Sequence, residues 1–394
     1  MASYMQPIIN IGMLGSVSDG KSTTVHSLSG VKTQRHSSEM KRNITIKPGY
    51  ANMKIYQDED GYNVDGNGEI VHHVSFIDCP GHYQLIVTMM SNIRLMDGII
   101  LVVSAAEPIE KKPQLLQHIM AIKMSGIKNV IVLLNKLDLV TKKVAMERHT
   151  ALVNVLAQHD IEPKRIIPVC MNHMIGVDMV LESIMEFMPP RERRTDVDPL
   201  FMISRSFDVN HPHINYTDIV GGVVGGSMLR GQFKVGDEIE ICPGIITTKK
   251  DGTVEWKPHH TTINSLKSET IELTNILPGG LIGIGTDIDP YYCKNDGMAG
   301  QMVGLKGKMP PTVLTLTTTF EKIEFDGNSW EPKNGANITV ITGTFCGDGK
   351  ITSFDDQNIT ILLQRPVCID KENMIVLCEK TREAFHIVGC GNVV

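Results

Sequence analysis

The segment "GSVSDGKST", residues 15–23, constrains the fold more than any other stretch of the chain. It fits G-x-x-x-x-G-K-[ST], a loop whose backbone N–H groups cradle di- and triphosphates. Such a loop works when a strand delivers it and a helix N-terminus receives the anion. Both are written around it, as the apolar run "IINIGML" before and "TVHSLSG" after. The backbone of Ser18, Asp19, Gly20 and Thr23 belongs to this cradle. Lys21 would reach the β- and γ-phosphates, and the Ser22 hydroxyl would bind Mg²⁺. Asp19 brings a carboxylate near that negative charge. Since only backbone N–H groups need face the phosphates, its side chain is expected to point away.

Further motifs follow in the order a nucleotide site requires. The runs "HVSFIDC" (73–79), "GIILVVSA" (98–105) and "NVIVLLN" (129–135) are short, β-branched and nearly all apolar, as strands of a parallel sheet buried on both faces are. Periodic stretches such as "QLLQHIMAIKMSG" (114–126) separate them as crossover helices. "DCPGH" (78–82) puts Asp78 at a strand's carboxyl end, to hold the metal through water, and lets the Gly81 N–H sense a γ-phosphate. "NKLD" supplies Asn135, Lys136 and Asp138 after the next buried strand. Asp138 can accept from both N1–H and the 2-amino group of guanine, whereas adenine offers a lone pair there, so the site reads as guanine-specific. In "KRNITIKPGY" (41–50), Thr45 is the candidate to close a mobile loop on Mg²⁺ and γ-phosphate.

After the charged, proline-paired segment "FMPPRERRTDVDP" (187–199) the pattern changes to short alternating runs punctuated by Gly, Pro and Asp, as in "FKVGDEIEICPG" and "LPGGLIGIGT". These predict small antiparallel barrels. The expected fold is an α/β P-loop domain over 1–197, with a mostly parallel sheet and helices on both faces, followed by two antiparallel β-barrel domains over 198–308 and 309–394. The segment 57–69 reads as an exposed acidic hairpin, because its acidic spacing does not fit a calcium loop. The eight cysteines contain no C-x-x-C pair, so neither zinc nor a disulfide framework is expected. No apolar run reaches eighteen residues and the start has no signal-peptide character, so a cytoplasmic protein without membrane contact is expected. The net charge of −6 divides into +1 for 1–197 (21 basic, 20 acidic) and −7 for 198–394 (17 basic, 24 acidic). An RNA partner would therefore be held by shape and a few placed groups, not by a basic surface.

"KRNITIKPGYANMKIY", "DCPGHYQLIVTMM", "NKLDLV" and the run "SFDVN…GGVVGGSMLRGQFKVGDEIEICPG" closely resemble the gamma subunit of archaeal and eukaryotic translation initiation factor 2, a relative of elongation factor Tu. The resemblance reaches "FHIVGCGNV" near the end. It implies a GTPase, slow without an activating partner, that uses GTP/GDP and Mg²⁺. It also implies a heterotrimer with alpha- and beta-like subunits that carries methionyl initiator tRNA to the small ribosomal subunit, served by GTPase-activating and exchange factors. By the same resemblance His82 matches the histidine that orients or polarises the attacking water. Cys170, Met171 and Asn172 align with a Ser-Ala-Gln whose backbone N–H groups touch guanine O6. The phosphate loop, with Ser16, Val17, Ser18 and Asp19, departs from the family's histidine-bearing form. A non-catalytic scaffold or decoy that keeps fold and subunit contacts without delivering tRNA is the alternative reading.

Overall fold

The computed structural model describes residues 6–33, 45, 47–82, 85–189, 194–323, 330–381 and 385–394, so the segment around Thr45 and part of 187–199 lie outside the described residues. The chain divides into two compact units, Met1–Glu192 and Arg193–Val394.

The first unit is built on a seven-stranded sheet of β1 (Ile9–Leu14), β2 (Gly49–Asp58), β3 (Gly61–Asn63), β4 (Glu69–Asp78), β5 (Gly98–Ser104), β6 (Val130–Asn135) and β7 (Arg165–Pro168). Its order is β3-β2-β4-β1-β5-β6-β7, with β4, β1, β5, β6 and β7 parallel and β2 and β3 added antiparallel at one edge. The sequence explains this division. β1, β5 and β6 are buried at every position, as strands covered on both faces must be. β2 alternates buried and half-buried residues and then runs out into the 57–69 hairpin, whose flanks are exposed, as expected, but whose Tyr62 and Val64 are half-buried against the core. One core gathers Ile9, Ile11, Met13, Ile100, Val102, Ile131 and Leu133 under Val25 and Leu28 of the helix Lys21–Ser29 and Val180, Leu181 and Ile184 of the helix Val177–Phe187. The alternate residues Ile99, Leu101 and Val103 are fully buried as well, so the other face is also covered. The crossover helix Pro113–Ser125 starts with proline at its first turn, where a missing N–H costs nothing, and stops at Gly126, whose φ of 67° suits a helix end.

The second unit holds an eight-stranded antiparallel sheet, with strands from Leu200–Phe207 to Met302–Leu305, and a seven-stranded one, from Thr312–Thr319 to Phe385–Asn392. Each sheet wraps its own core, the first around Phe201, Phe233, Ile239 and Ile284, the second around Val340, Ile361 and Leu377. These are the two antiparallel barrels expected from the sequence. The half-buried Arg230 forms an ion pair with the buried Asp370 at 2.6 Å, linking the first sheet to the loop that follows the strand Asn358–Cys368. In the glycine-rich run at 221–227, β-carbons on Gly221, Gly222 and Gly226 would run into Thr286 O, Cys293 Sγ and Met202 O. These glycines allow backbones to pack closely. Among the described residues no helix is long and apolar enough to cross a membrane.

Candidate functional site

Most of the expected site residues gather at the carboxyl ends of the parallel strands, where open α/β sheets take their ligands. The phosphate loop joins β1 to the helix Lys21–Ser29, Asp78 ends β4, Asn135 ends β6, and Cys170 to Asn172 follow β7. Gly20 caps the helix with a φ of 102°, Ser18 bends the loop at a φ of 64°, and Ser18 and Thr23 are exposed.

Asp19 is turned into the protein. One carboxylate oxygen accepts the Ser16 N–H at 2.9 Å. The other accepts the Ser104 N–H at 3.1 Å and pairs with the Lys112 ammonium. Both side chains are almost fully buried. The carboxylate thus shapes the loop from behind, neutralised by a lysine 93 residues away, and its negative charge is compensated before any phosphate approaches. Lys21 is also buried and donates to Ser16 O at 2.8 Å. Burial lowers its pKa from the usual lysine value, and the Asp78 and Asp19 carboxylates offset part of that effect. A β-carbon on Gly81 would strike Lys21 Nζ and Gly15 O, so this backbone lies directly against the loop that joins β1 to the helix Lys21–Ser29.

Oxygen atoms converge beside the loop. Ser22 Oγ donates to Asp78 Oδ2 at 2.6 Å and lies 3.2 Å from Thr45 Oγ1, while Thr33 Oγ1 donates to the same Asp78 oxygen at 2.6 Å. An all-oxygen set of hydroxyls and one carboxylate is the donor chemistry Mg²⁺ takes, so the residues present fit that ion. Thr33 was not legible in the sequence, because no motif marks it.

The base end is held together by Asn135. Its Nδ2 donates to Asp19 O at 3.0 Å, and its Oδ1 accepts the Met171 N–H at 3.1 Å. Ser27 Oγ adds a bond to Met171 O at 2.8 Å. Lys136 adopts a left-handed conformation, φ 64°, that turns the chain into the short helix Leu137–Leu139, which carries the exposed Asp138. The Cys170 thiol donates to Asp138 Oδ1 at 2.9 Å. That bond is the main cause holding the Asp138 carboxyl below its usual range, whereas burial and then Asp138 push the Cys170 thiol up. The Cys170 N–H donates to Ile175 O, and Met171 N–H is taken by Asn135. Two of the three amides assigned to guanine O6 are thus engaged inside the protein.

His82 follows Gly81, half-buried, and its carbonyl accepts the Leu85 N–H at 2.8 Å. A second histidine lies near Gly81. His118, on the helix Pro113–Ser125, is buried with Nδ1 3.0 Å from Met89 Sδ and also bonds to the Gly81 backbone. Burial, reinforced by the Lys21 charge, lowers its pKa to about 3, so it is neutral at physiological pH. Neither Lys112 nor His118 stands out in the sequence, since an isolated charge or histidine on a helical segment carries no spacing signal.

Residues 6–190 match the family described as Elongation factor Tu GTP binding domain, and residues 319–393 the family described as Initiation factor eIF2 gamma, C terminal. The chain is similar to translation initiation factor 2 subunit gamma of Aeropyrum pernix and of Methanocaldococcus jannaschii, each 37% identical over 98% of both chains. That of Haloquadratum walsbyi is 36% identical over the same shares. Among solved structures, a bacterial selenocysteine-specific elongation factor EF-Sec covers 98% of the chain with a TM-score of 0.76 at 21% identity, and the chain spans 58% of that protein. The elongation factor SelB of Methanococcus maripaludis, in complex with the GTP analogue GPPNHP, gives a TM-score of 0.73 at 18% identity, covering 98% of this chain and 79% of that one. These two share the fold. With a nucleotide-type site of this build and relatives of this likeness over nearly its whole length, the chain belongs to the gamma-subunit family of translation initiation factor 2 and is a GTP-hydrolysing GTPase of translation initiation.

Proposed function

We propose that the GTP-bound chain carries methionyl initiator tRNA to the small ribosomal subunit, as the gamma-like member of a heterotrimer with alpha- and beta-like subunits in the cytoplasm. The observation that carries this reading is Thr45 Oγ1 lying 3.2 Å from Ser22 Oγ, beside Asp78. A residue of the segment between the first helix and β2 thereby belongs to the same cluster as the phosphate loop. A ligand that engages this cluster therefore acts on Thr45 as well as on Ser22 and Asp78.

In this reading Ser22 and Thr45 would hold Mg²⁺ directly and Asp78 would hold it through water. When bound, the ion neutralises charge on the β- and γ-phosphates. The backbone of residues 18–23 cradles the phosphates, Lys21 contacts them, and the Gly81 N–H senses the third. His82 orients the attacking water. Asp138 reads the guanine edge and Asn135 fixes the loops around it. Asn172, with Cys170 and Met171, forms the wall near O6. The three domains are 1–197, 198–308 and 309–394, and the first barrel offers the region 221–227 to the methionyl group. GTPase-activating and exchange factors set the pace of the cycle.

Two experiments test these assignments. Asp138→Asn is expected to weaken GDP by about 100-fold, since a carboxylate accepting two guanine N–H groups is lost, and to improve xanthine nucleotides, whose N1–C2 edge suits an amide. Fluorescence titration measures both, and unchanged GDP affinity contradicts the guanine assignment. Affinity capture of the tagged chain from its native cell, with GTP present, is expected to bring initiator tRNA and two further subunits. Subunits without tRNA would favour the scaffold reading.

A further inference from the structure

At the guanine end of the site three side chains of different chemistry meet. Asp138 comes from the short helix Leu137–Leu139, Cys170 from the segment after β7, and His173 from the short helix Met171–His173. One ligand atom of each lies within 4.8 Å of the others, and Cys170 Sγ is already 2.9 Å from Asp138 Oδ1. Asp138 and His173 are exposed, so an ion reaches the group from solvent, while the buried Cys170 closes the inner side.

We propose that Asp138, Cys170 and His173 form a binding site for a thiophilic divalent cation, zinc, and that zinc and guanine nucleotide exclude one another there. One sulfur, one imidazole nitrogen and one carboxylate oxygen make a zinc donor set, with water in the fourth position. Zinc bond lengths of about 2.0–2.3 Å place tetrahedral ligand atoms about 3.3–3.8 Å apart, within reach of small side-chain rotations here. Mg²⁺, which takes oxygen ligands, is poorly served by the sulfur. As the Sγ–metal bond forms, the Cys170 S–H bond breaks and its proton goes to solvent, so one proton is released per zinc and affinity rises with pH. The exclusion rests on the proposed role of Asp138. A carboxylate oxygen that coordinates zinc no longer accepts from guanine. The absence of paired cysteines in the sequence argued against zinc, but this site draws its ligands from two loops that only the fold brings together.

The test uses the full-length chain freed of nucleotide, in excess Mg²⁺. Co²⁺ is added as a spectroscopic probe and then displaced by Zn²⁺. A thiolate-to-cobalt charge-transfer band, one equivalent per chain, is expected, and saturating Zn²⁺ should weaken a fluorescent GDP analogue at least about 10-fold. His173→Gln should keep GDP affinity in the absence of zinc and lose both the band and the zinc effect. No charge-transfer band in the parent chain overturns the site. A zinc effect on GDP that survives His173→Gln also overturns it, because the effect then does not depend on this donor set. If GDP binding ignores bound zinc while Asp138→Asn still shifts preference to xanthine, the exclusion fails and the guanine assignment stands. If Asp138→Asn produces no shift, the assignment itself fails.

Discussion

Asp19→Ala is expected to destabilise the first unit by about 3–5 kcal/mol, the cost of leaving a buried partner charge uncompensated. The carboxylate and the Lys112 ammonium are both buried, and the Ser16 and Ser104 amides lose their acceptor in the same change. Asp19→Ala combined with Lys112→Met should cost less than Asp19→Ala alone, because the second change removes the stranded cation. Urea unfolding followed on the first unit measures both. A loss under about 0.5 kcal/mol for Asp19→Ala, the range of ordinary surface changes, would show that the pair does not shape the loop.

His82→Ala is expected to slow single-turnover GTP hydrolysis by about 10²–10⁴-fold under stimulated conditions, with GTP and GDP affinities unchanged. A group that orients the attacking water acts on the transition state and contributes little to ground-state binding. His82 suits this because it follows Gly81, whose backbone packs against Lys21 and Gly15. His118 provides the contrast. It is buried, neutral and bonded to the Gly81 backbone, so it positions the peptide without reaching solvent. An unchanged hydrolysis rate in His82→Ala would remove this residue from the mechanism.

The positions of the motif residues at strand ends were legible in the sequence because buried apolar strands dictate where the loops between them fall. Lys21, Ser22, Asp78, Asn135 and Asp138 each follow an apolar run that the structure shows as a strand or its end. The barrels were legible as short runs between Gly and Pro, although the tight backbone contacts of Gly221 and Gly226 were not. What stayed hidden depends on strand order. Lys112 reaches Asp19 because β5 lies beside β1, and Asn135 reaches both Asp19 and Met171 because β6 lies between β5 and β7. A lysine beside another lysine reads as a solvated charge, and only the fold separates the buried Lys112 from the exposed Lys111. The Cys170 thiol was visible as a departure from the serine of the resembling family. Its bond to Asp138 was not, since 32 residues separate the two.

The central claim, that guanine nucleotide switches the chain between tRNA-carrying and tRNA-releasing states, is tested most directly by filter binding of methionylated initiator tRNA with GTP and with GDP, in the presence of alpha- and beta-like partners. A coupling of about 1–3 kcal/mol is expected, which is a complex about 5- to 150-fold tighter with GTP. Thr45→Ala should shrink that ratio, because alanine offers no oxygen to the Ser22 and Asp78 cluster. Equal tRNA affinity in the two nucleotide states would contradict the account.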